Sequence, residues 1–340
     1  MSDLFHKLLI LRTAGIGPVK YKELIDKFET IEAVIDSLKC GDGVRESVLR
    51  EMELAEKNGI HYICDDDERY PAKLKEIKNH PPVITVRGNL DALLKPAVSI
   101  VGTRHATVAG MEFTTALGRR FAEKGFAVAS GMAMGTDSAA HRGALKSDGS
   151  AQTIAVVAGG VDYIWPLENE SLYWEIVNRG AVISEMPVGL VPVANNFVQR
   201  NRLIAGICEK LILGEADLNS GSMTTARFAI EYGREIFAIP SHPLDSRGKG
   251  PNSLIKKGLA KICTGLEDFF ETENFESEKK KNYEKNEDEN SLLDVLGTIP
   301  VSESVLAEIV KKSIAEIKSI LVVLELQGLV KKVDGGYIRN

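Results

Sequence analysis

At 340 residues, 44% of them hydrophobic and 26% charged, the chain is long enough for two or three domains with a proper core. No apolar run reaches the roughly 20 residues of a bilayer span, and acidic Asp3 with no basic-then-apolar stretch predicts no signal peptide, so a cytoplasmic protein is expected. The formal charge of −6 argues against a uniformly basic nucleic-acid binder, but residues 267–290 hold ten acids against four lysines and carry all of it, leaving a neutral body with room for local basic patches.

Residues 3 to about 60 read as helical. Leu4, Leu8, Leu9 and Leu11 stop at Gly15-Ile16-Gly17-Pro18, and a second segment runs through Tyr21, Leu24, Ile25 and Phe28. Two helices joined by G-I-G-P form a helix-hairpin-helix pattern, which either frees backbone amides for a phosphate or simply packs as an αα-hairpin. Cys40, Cys64, Cys208 and Cys263 lie far apart with no C-x-x-C pair, which predicts no zinc site and a reduced setting.

From Pro81 to about Phe270, apolar strands alternate with amphipathic helices. Strands are predicted at Val83–Arg87, Ala97–Val101, Ala127–Ser130, Thr153–Val157, Ala181–Ser184, Lys210–Gly214 and Glu235–Ile239. Helices are predicted between them, at Gly110–Lys124, Asp137–Leu145, Leu172–Asn178 and Met223–Tyr232. Continuous apolar strands with helical crossovers imply an α/β, Rossmann-like, mostly parallel sheet with helices on both faces, whose binding crevice lies at the carboxyl ends of the strands. Residues 271–290 read as a charged linker. Residues 291–340 read as a winged helix, with helices at Leu292–Leu296 and Glu303–Lys311. A third helix follows, opened by a Ser313/Glu316 capping box and running to Gln327-Gly328, then strand, turn and strand. The expected domains are therefore 1–62 (helical, helix-hairpin-helix or SAM-like), 63–270 (Rossmann-like) and 291–340 (winged helix).

The strand ends carry the chemistry. Val98-Ser-Ile-Val-Gly-Thr-Arg104 closes an apolar strand on a turn, where Gly102, Thr103 and Arg104 present amide, hydroxyl and guanidinium groups suited to phosphate. Ser130 and Gly131 open a second glycine turn, S-G-M-A-M-G-T-D-S-A-A-H, which is neither G-x-G-x-x-G nor a Walker A loop. There Asp137 and His141 share a helix face, as a metal or acid–base pair or as a cap and a packed histidine. A third turn, Ala158-Gly-Gly-Val-Asp162, leads to Tyr163 and Trp165, which either stack on a base or close the domain edge. Phe197 precedes Arg200, Asn201 and Arg202; an aromatic beside cations suits a single strand, stacking for the base and arginine for the backbone. Ser220, Gly221 and Ser222 open a helix whose free amides form an anion site. Lys249 sits in a basic, glycine-rich loop after Pro240-Ser241-His242-Pro243.

In this order, V-G-T-R, S-G-M-A-M-G-T-D-S-A-A-H, I-A-V-V-A-G-G-V-D-Y-I-W-P, I-S-E-M-P, F-V-Q-R-N-R-L-I-A-G and S-G-S-M-T-T-A-R resemble the DNA-processing protein A (DprA, or Smf) family over about residues 63–270. The resemblance implies a non-enzymatic protein that binds and protects incoming single-stranded DNA in natural transformation and helps load RecA, as a homodimer through the Rossmann domain, with no cofactor and no membrane partner. It places DNA contacts on Arg104, Arg200, Asn201 and Arg202. The chain departs from the family at Val198 and Gln199, where proline is frequent, and at Pro240-Ser241-His242, where Pro-Gly-Ser is usual. The competing reading is a nucleotide-phosphate hydrolase using Asp137, Glu185 or Glu215 in the same crevice. A dinucleotide dehydrogenase is disfavoured, because the second strand ends Ala129-Ser130-Gly131 rather than on an acid for the ribose. The third helix of the winged unit offers only Lys318 as a cation, so a protein-docking or dimer role is expected of it rather than duplex reading.

Overall fold

The computed structural model describes residues 3–38, 40–149, 152–270, 287–297, 299–326 and 328–339; residues 271–286, most of the expected linker, lie outside them. Four helices come first: α1 (Asp3–Leu11), α2 (Pro18–Phe28), α3 (Ile31–Leu38) and α4 (Asp42–Lys57). Their helical-period apolar residues, Phe5, Leu8, Leu9, Tyr21, Val34, Ile35 and Val48, bury one another. The helical reading ends at Lys57: Ile60–Cys64 is a strand, β1, with Ile60 and Ile63 buried on opposite faces of the sheet.

The chain then runs α5 (Ala72–Lys75), β2 (Val83–Gly88), β3 (Ala97–Val101), α6 (Val108–Glu123), β4 (Ala127–Ser130), α7 (Thr136–Leu145), β5 (Thr153–Val156), α8 (Glu170–Arg179), β6 (Ala181–Ser184), α9 (Ala194–Ile207), β7 (Lys210–Leu213), α10 (Gly221–Glu231), β8 (Glu235–Ala238), α11 (Lys249–Lys256) and β9 (Lys261–Ile262). The sheet order is β1-β2-β6-β5-β4-β3-β7-β8-β9. From β6 to β9 the strands are parallel, and β1 and β2 add an antiparallel edge. Strands β3 to β6 are buried along their whole length because helices cover both faces, which is why they read as unbroken apolar runs. After β3 the chain lays β4, β5 and β6 to one side; after β6 it crosses back through α9 to lay β7, β8 and β9 on the other. Their carboxyl ends diverge at the β3/β7 junction, the switch point at which such sheets bind ligands.

Helix α7 is buried on almost every side, and α6 packs on it at backbone distance. A Cβ on Gly143 would lie 2.2 Å from the Thr115 carbonyl oxygen, so even one methyl must part the two helices. Gly143→Ala is expected to cost about 1–3 kcal/mol by overpacking, read as a lower urea midpoint at unchanged slope. An unchanged midpoint would show that this contact is soft.

The chain divides into two compact units, Met1–Asp268 and Phe269–Asn340. In the second, α12 (Glu287–Val295), α13 (Glu303–Val310) and α14 (Ile314–Leu326) pack with the hairpin β10 (Val330–Val333) and β11 (Gly336–Arg339) around Leu292, Leu306, Ile317, Leu321, Leu324 and Tyr337. The capping box is in place: Ser313 N donates to Glu316 Oε2 at 2.9 Å, and Glu316 N donates to Ser313 Oγ at 3.3 Å. No helix among the described residues is long and apolar enough to cross a membrane.

Candidate functional site

A crevice of about 410 Å³ opens at the β3/β7 switch point, between the turn after β3, one face of α9 and the start of α10. Thr103 knits the turns together: its N–H donates to Glu215 O at 2.6 Å, and its carbonyl accepts from Thr136 N at 3.2 Å. Gly135 begins α7 at φ 75, and a Cβ there would sit 2.4 Å from Thr103 O, so glycine is required on both counts.

Arg104 is exposed on the rim, with its guanidinium carbon 5.1 Å from the Trp165 ring centre. Trp165 in turn meets Phe197 edge-on at 4.6 Å. A cation and two aromatic rings thus stand in a row along the mouth of the crevice, held by rings that order one another. Trp165, read from the sequence either as a stacking aromatic or as one closing the domain edge, is brought into contact with Arg104 and Phe197; the available signal was an aromatic just beyond a glycine-rich strand end.

Helix α9 explains which of its residues face the site. Phe197, Arg200, Asn201 and Ile204 follow the i, i+3, i+4, i+7 spacing, and all line the crevice. Arg202, two residues past Arg200, lies roughly 200° around the helix and faces away. Its side chain is 9% exposed and ion-pairs with Glu185, itself 8% exposed. The structure thus places Arg202, expected as a phosphate clamp, away from the crevice and paired with Glu185. Arg200 lies at the crevice floor and is also buried. Its Nη1 donates to Gly131 O at 2.5 Å and to Val156 O at 2.7 Å. Burial brings its pKa down to about 10 against the pull of Asp137, and the two carbonyl bonds tie its guanidinium to the crevice floor.

Ser130 and Gly131 lie beneath the crevice. Ser130 Oγ donates to Ile100 O at 2.6 Å, and a Cβ on Gly131 would come 2.1 Å from Arg200 Nη1. Ser220, Gly221 and Ser222 line the far wall, where α10 begins with its amide-rich, partly positive end at the crevice. Asn201 Nδ2 donates to Gly221 O at 3.2 Å and pins α9 to that turn. Lys249 is exposed at the start of α11 and does not line the crevice.

Each candidate acid is engaged. Burial raises the pKa of Asp137, which accepts from Ala133 N at 3.3 Å. Glu215 receives Thr107 N at 2.7 Å and Thr107 Oγ1 at 2.5 Å at the head of α6. Burial likewise raises Glu185 beside Arg202. His141 Nδ1 lies 2.7 Å from Thr153 Oγ1, whose proton goes to Val128 O at 2.6 Å, so the imidazole donates there. Burial pushes His141 down to about 3, and it is neutral at pH 7. Asp137 and His141 thus serve different partners, and no group of three metal-ligating residues occurs among the described residues.

The geometry has counterparts in known proteins. Residues 61–274 match the family model described as DNA recombination-mediator protein A, and residues 276–336 match that of the DprA winged helix domain. Protein Smf of Escherichia coli is 33% identical over 308 residues, 87% of this chain and 81% of that protein. DNA processing protein DprA of Streptococcus pneumoniae is 38% identical over 207 residues, 61% of this chain and 72% of that one. Its solved structure aligns at a TM-score of 0.68 and 31% identity, covering 79% of this chain and 98% of its own. DNA processing protein A of Helicobacter pylori, described with a single-stranded DNA binding mode, aligns at 0.56 and 30% identity, covering 62% and 93%.

Proposed function

The chain belongs to the DNA recombination-mediator protein A family, and on that premise we propose that it binds single-stranded DNA along the rim of the switch-point crevice. The observation that carries this reading is the row Arg104–Trp165–Phe197 facing the amino end of α10. Arginine and helix amides suit the backbone phosphates; the rings suit unstacked bases of any identity. The role is binding without covalent chemistry: the three acids available to a hydrolase are engaged by the Ala133 amide, Arg202 and Thr107. On the same reading the strand is protected and handed to the RecA recombinase during transformation or homologous recombination, by a homodimer formed through the Rossmann-like domain.

A gel shift comparing single-stranded with duplex DNA across a salt series tests this. The expected result is a single-strand preference that falls steeply as salt rises, because phosphate binding releases counterions. Equal affinity for duplex, or turnover of a mononucleotide in the same crevice, would overturn it.

The winged helix takes little part in strand binding on this reading. Lys318, the one cation of α14, is paired with Glu303 at 3.3 Å, and Val322, Val323 and Leu326 are exposed. A groove-reading helix needs a polar, basic face. Deleting residues 288–340 is expected to leave single-strand affinity within about twofold of the full chain, since no phosphate contact is removed. A collapse of affinity would assign the winged helix to DNA.

A further inference from the structure

A charge cluster that shares no residue with the crevice fastens α1 to the sheet domain. Lys7 of α1 is buried, and its Nζ reaches three carboxylates: Asp66 Oδ2 at 3.0 Å, Asp3 Oδ2 at 3.4 Å and Asp65 Oδ1 at 3.5 Å. A buried ammonium needs such partners, because desolvation without them is costly. Asp65 and Asp66 directly follow β1, so the pairing ties the first helix of the chain to the sheet.

Asp65 has a second cationic partner. Its Oδ2 lies 3.3 Å from His80 Nε2, in the turn between α5 and β2, while His80 Nδ1 lies 2.9 Å from Ile77 O. A carbonyl and a carboxylate only accept, so both bonds form only when both ring nitrogens carry a proton. A neutral imidazole has one N–H and serves Ile77 or Asp65, not both. The ring is held where it is: Tyr70 meets it edge-on at 6.2 Å, and Tyr70 Oη donates to the adjacent Pro81 O at 2.7 Å. The charged neighbours of the site, besides Lys7, Asp65, Asp66 and Asp3, are Lys22 and Asp26 of α2 and Lys78 of the same turn as His80. The hydrogen bond from Asp65 raises the His80 pKa above its ordinary 6.5, against burial and the repulsion of Lys22. Against the desolvation of burial, His80 and Lys7 hold Asp65 below its ordinary value. Burial pushes the Tyr21 hydroxyl up and the Cys64 thiol to about 11, so neither ionises near neutral pH.

From this geometry we propose that Lys7, Asp65 and His80 form a pH-sensitive clasp, closed while the imidazole carries both protons and loosened when it gives one up, so that pH sets how firmly α1 is held to the sheet domain. The clasp does not depend on what binds in the crevice. A group whose pKa is raised on folding stabilises the fold while protonated; for His80 that contribution is complete below 6.5 and is lost as pH rises through the folded-state value.

Two measurements on the full chain test the clasp. Carbon-edited NMR of the histidine Cε1–H groups follows the titration, with the His80 signal identified by its absence in His80→Gln. The wild-type midpoint is expected above 6.5, falling in Asp65→Asn and rising further in Lys7→Met, where Asp65 has lost its other cation. Hydrogen exchange across α1, expressed as protection factors so that intrinsic rates cancel, follows the hold on the helix. Protection is expected to drop several-fold in wild type as pH rises through the His80 midpoint, and to stay at the lower level at every pH in His80→Gln. A wild-type midpoint at or below 6.5 would overturn the clasp. So would α1 protection that ignores the His80 titration, or a loss in His80→Gln of the same size at every pH, which would leave His80 a packing residue only. A midpoint unmoved in Lys7→Met would break the link between the ring and α1 and refute it as well.

Discussion

Replacing Arg104 and Trp165 together with alanine is expected to weaken single-strand binding by about 100-fold at moderate salt, as one phosphate contact and one stacking platform are lost. The two residues act by different physics, and the single variants separate them. Arg104→Ala removes a cation, so the slope of log affinity against log salt should fall by about 0.7. Trp165→Ala removes about 1–3 kcal/mol of stacking and should leave that slope unchanged. Because the guanidinium lies over the indole at 5.1 Å, the two losses should not add, and a double-mutant cycle reads their coupling. Salt-series anisotropy measures all three variants. If both single variants keep wild-type affinity and slope, the strand runs elsewhere and the rim is only structural.

Arg202→Met is expected to cost about 3–5 kcal/mol of stability, because it strands the Glu185 carboxylate in a buried site. The effect has a pH signature. Burial already holds the Glu185 pKa above its ordinary value of 4.5, with Arg202 pulling it down, and removing Arg202 sends it higher. A carboxyl raised in the folded state is tolerated while protonated and penalises the fold once ionised. The deficit of the variant should be complete above the raised pKa and shrink as pH falls towards 4.5. The pair Glu185→Leu with Arg202→Met should recover most of the loss, since an apolar pair of similar volume removes the stranded charge. Urea melts over a pH series provide the measurement. A variant of full stability that has lost single-strand affinity would instead make Arg202 a phosphate ligand.

These two arginines mark the limit of reading α9 as a string. Q-R-N-R signals cations beside an aromatic, and helical period alone puts Arg200 and Arg202 on different faces. Which face meets the crevice depends on where β6 and the amino-terminal hairpin pack, and those contacts join residues far apart in the chain. Trp165 is a similar case: beside Pro166 it fits an edge residue as well as a stacking one, and its contacts with Arg104 and Phe197 exist only because the sheet brings them together. β1 escaped notice because I-H-Y-I-C is too short to declare a period, and it becomes a strand by pairing with β2.

What the chain determined unaided is local and periodic. Apolar runs such as Ala97–Val101 and Ala127–Ser130 end where the strands end, because a strand covered on both faces must be apolar until its loop begins. The Ser313/Glu316 cap and the glycine turns follow from backbone hydrogen bonding within a few residues. Tertiary structure alone decided the order of strands, the burial of Arg200 and Arg202, and the engagement of Asp137, Glu185 and Glu215. Those outcomes arise from contacts between distant segments, whose desolvation and charge pairing exist only once the segments meet.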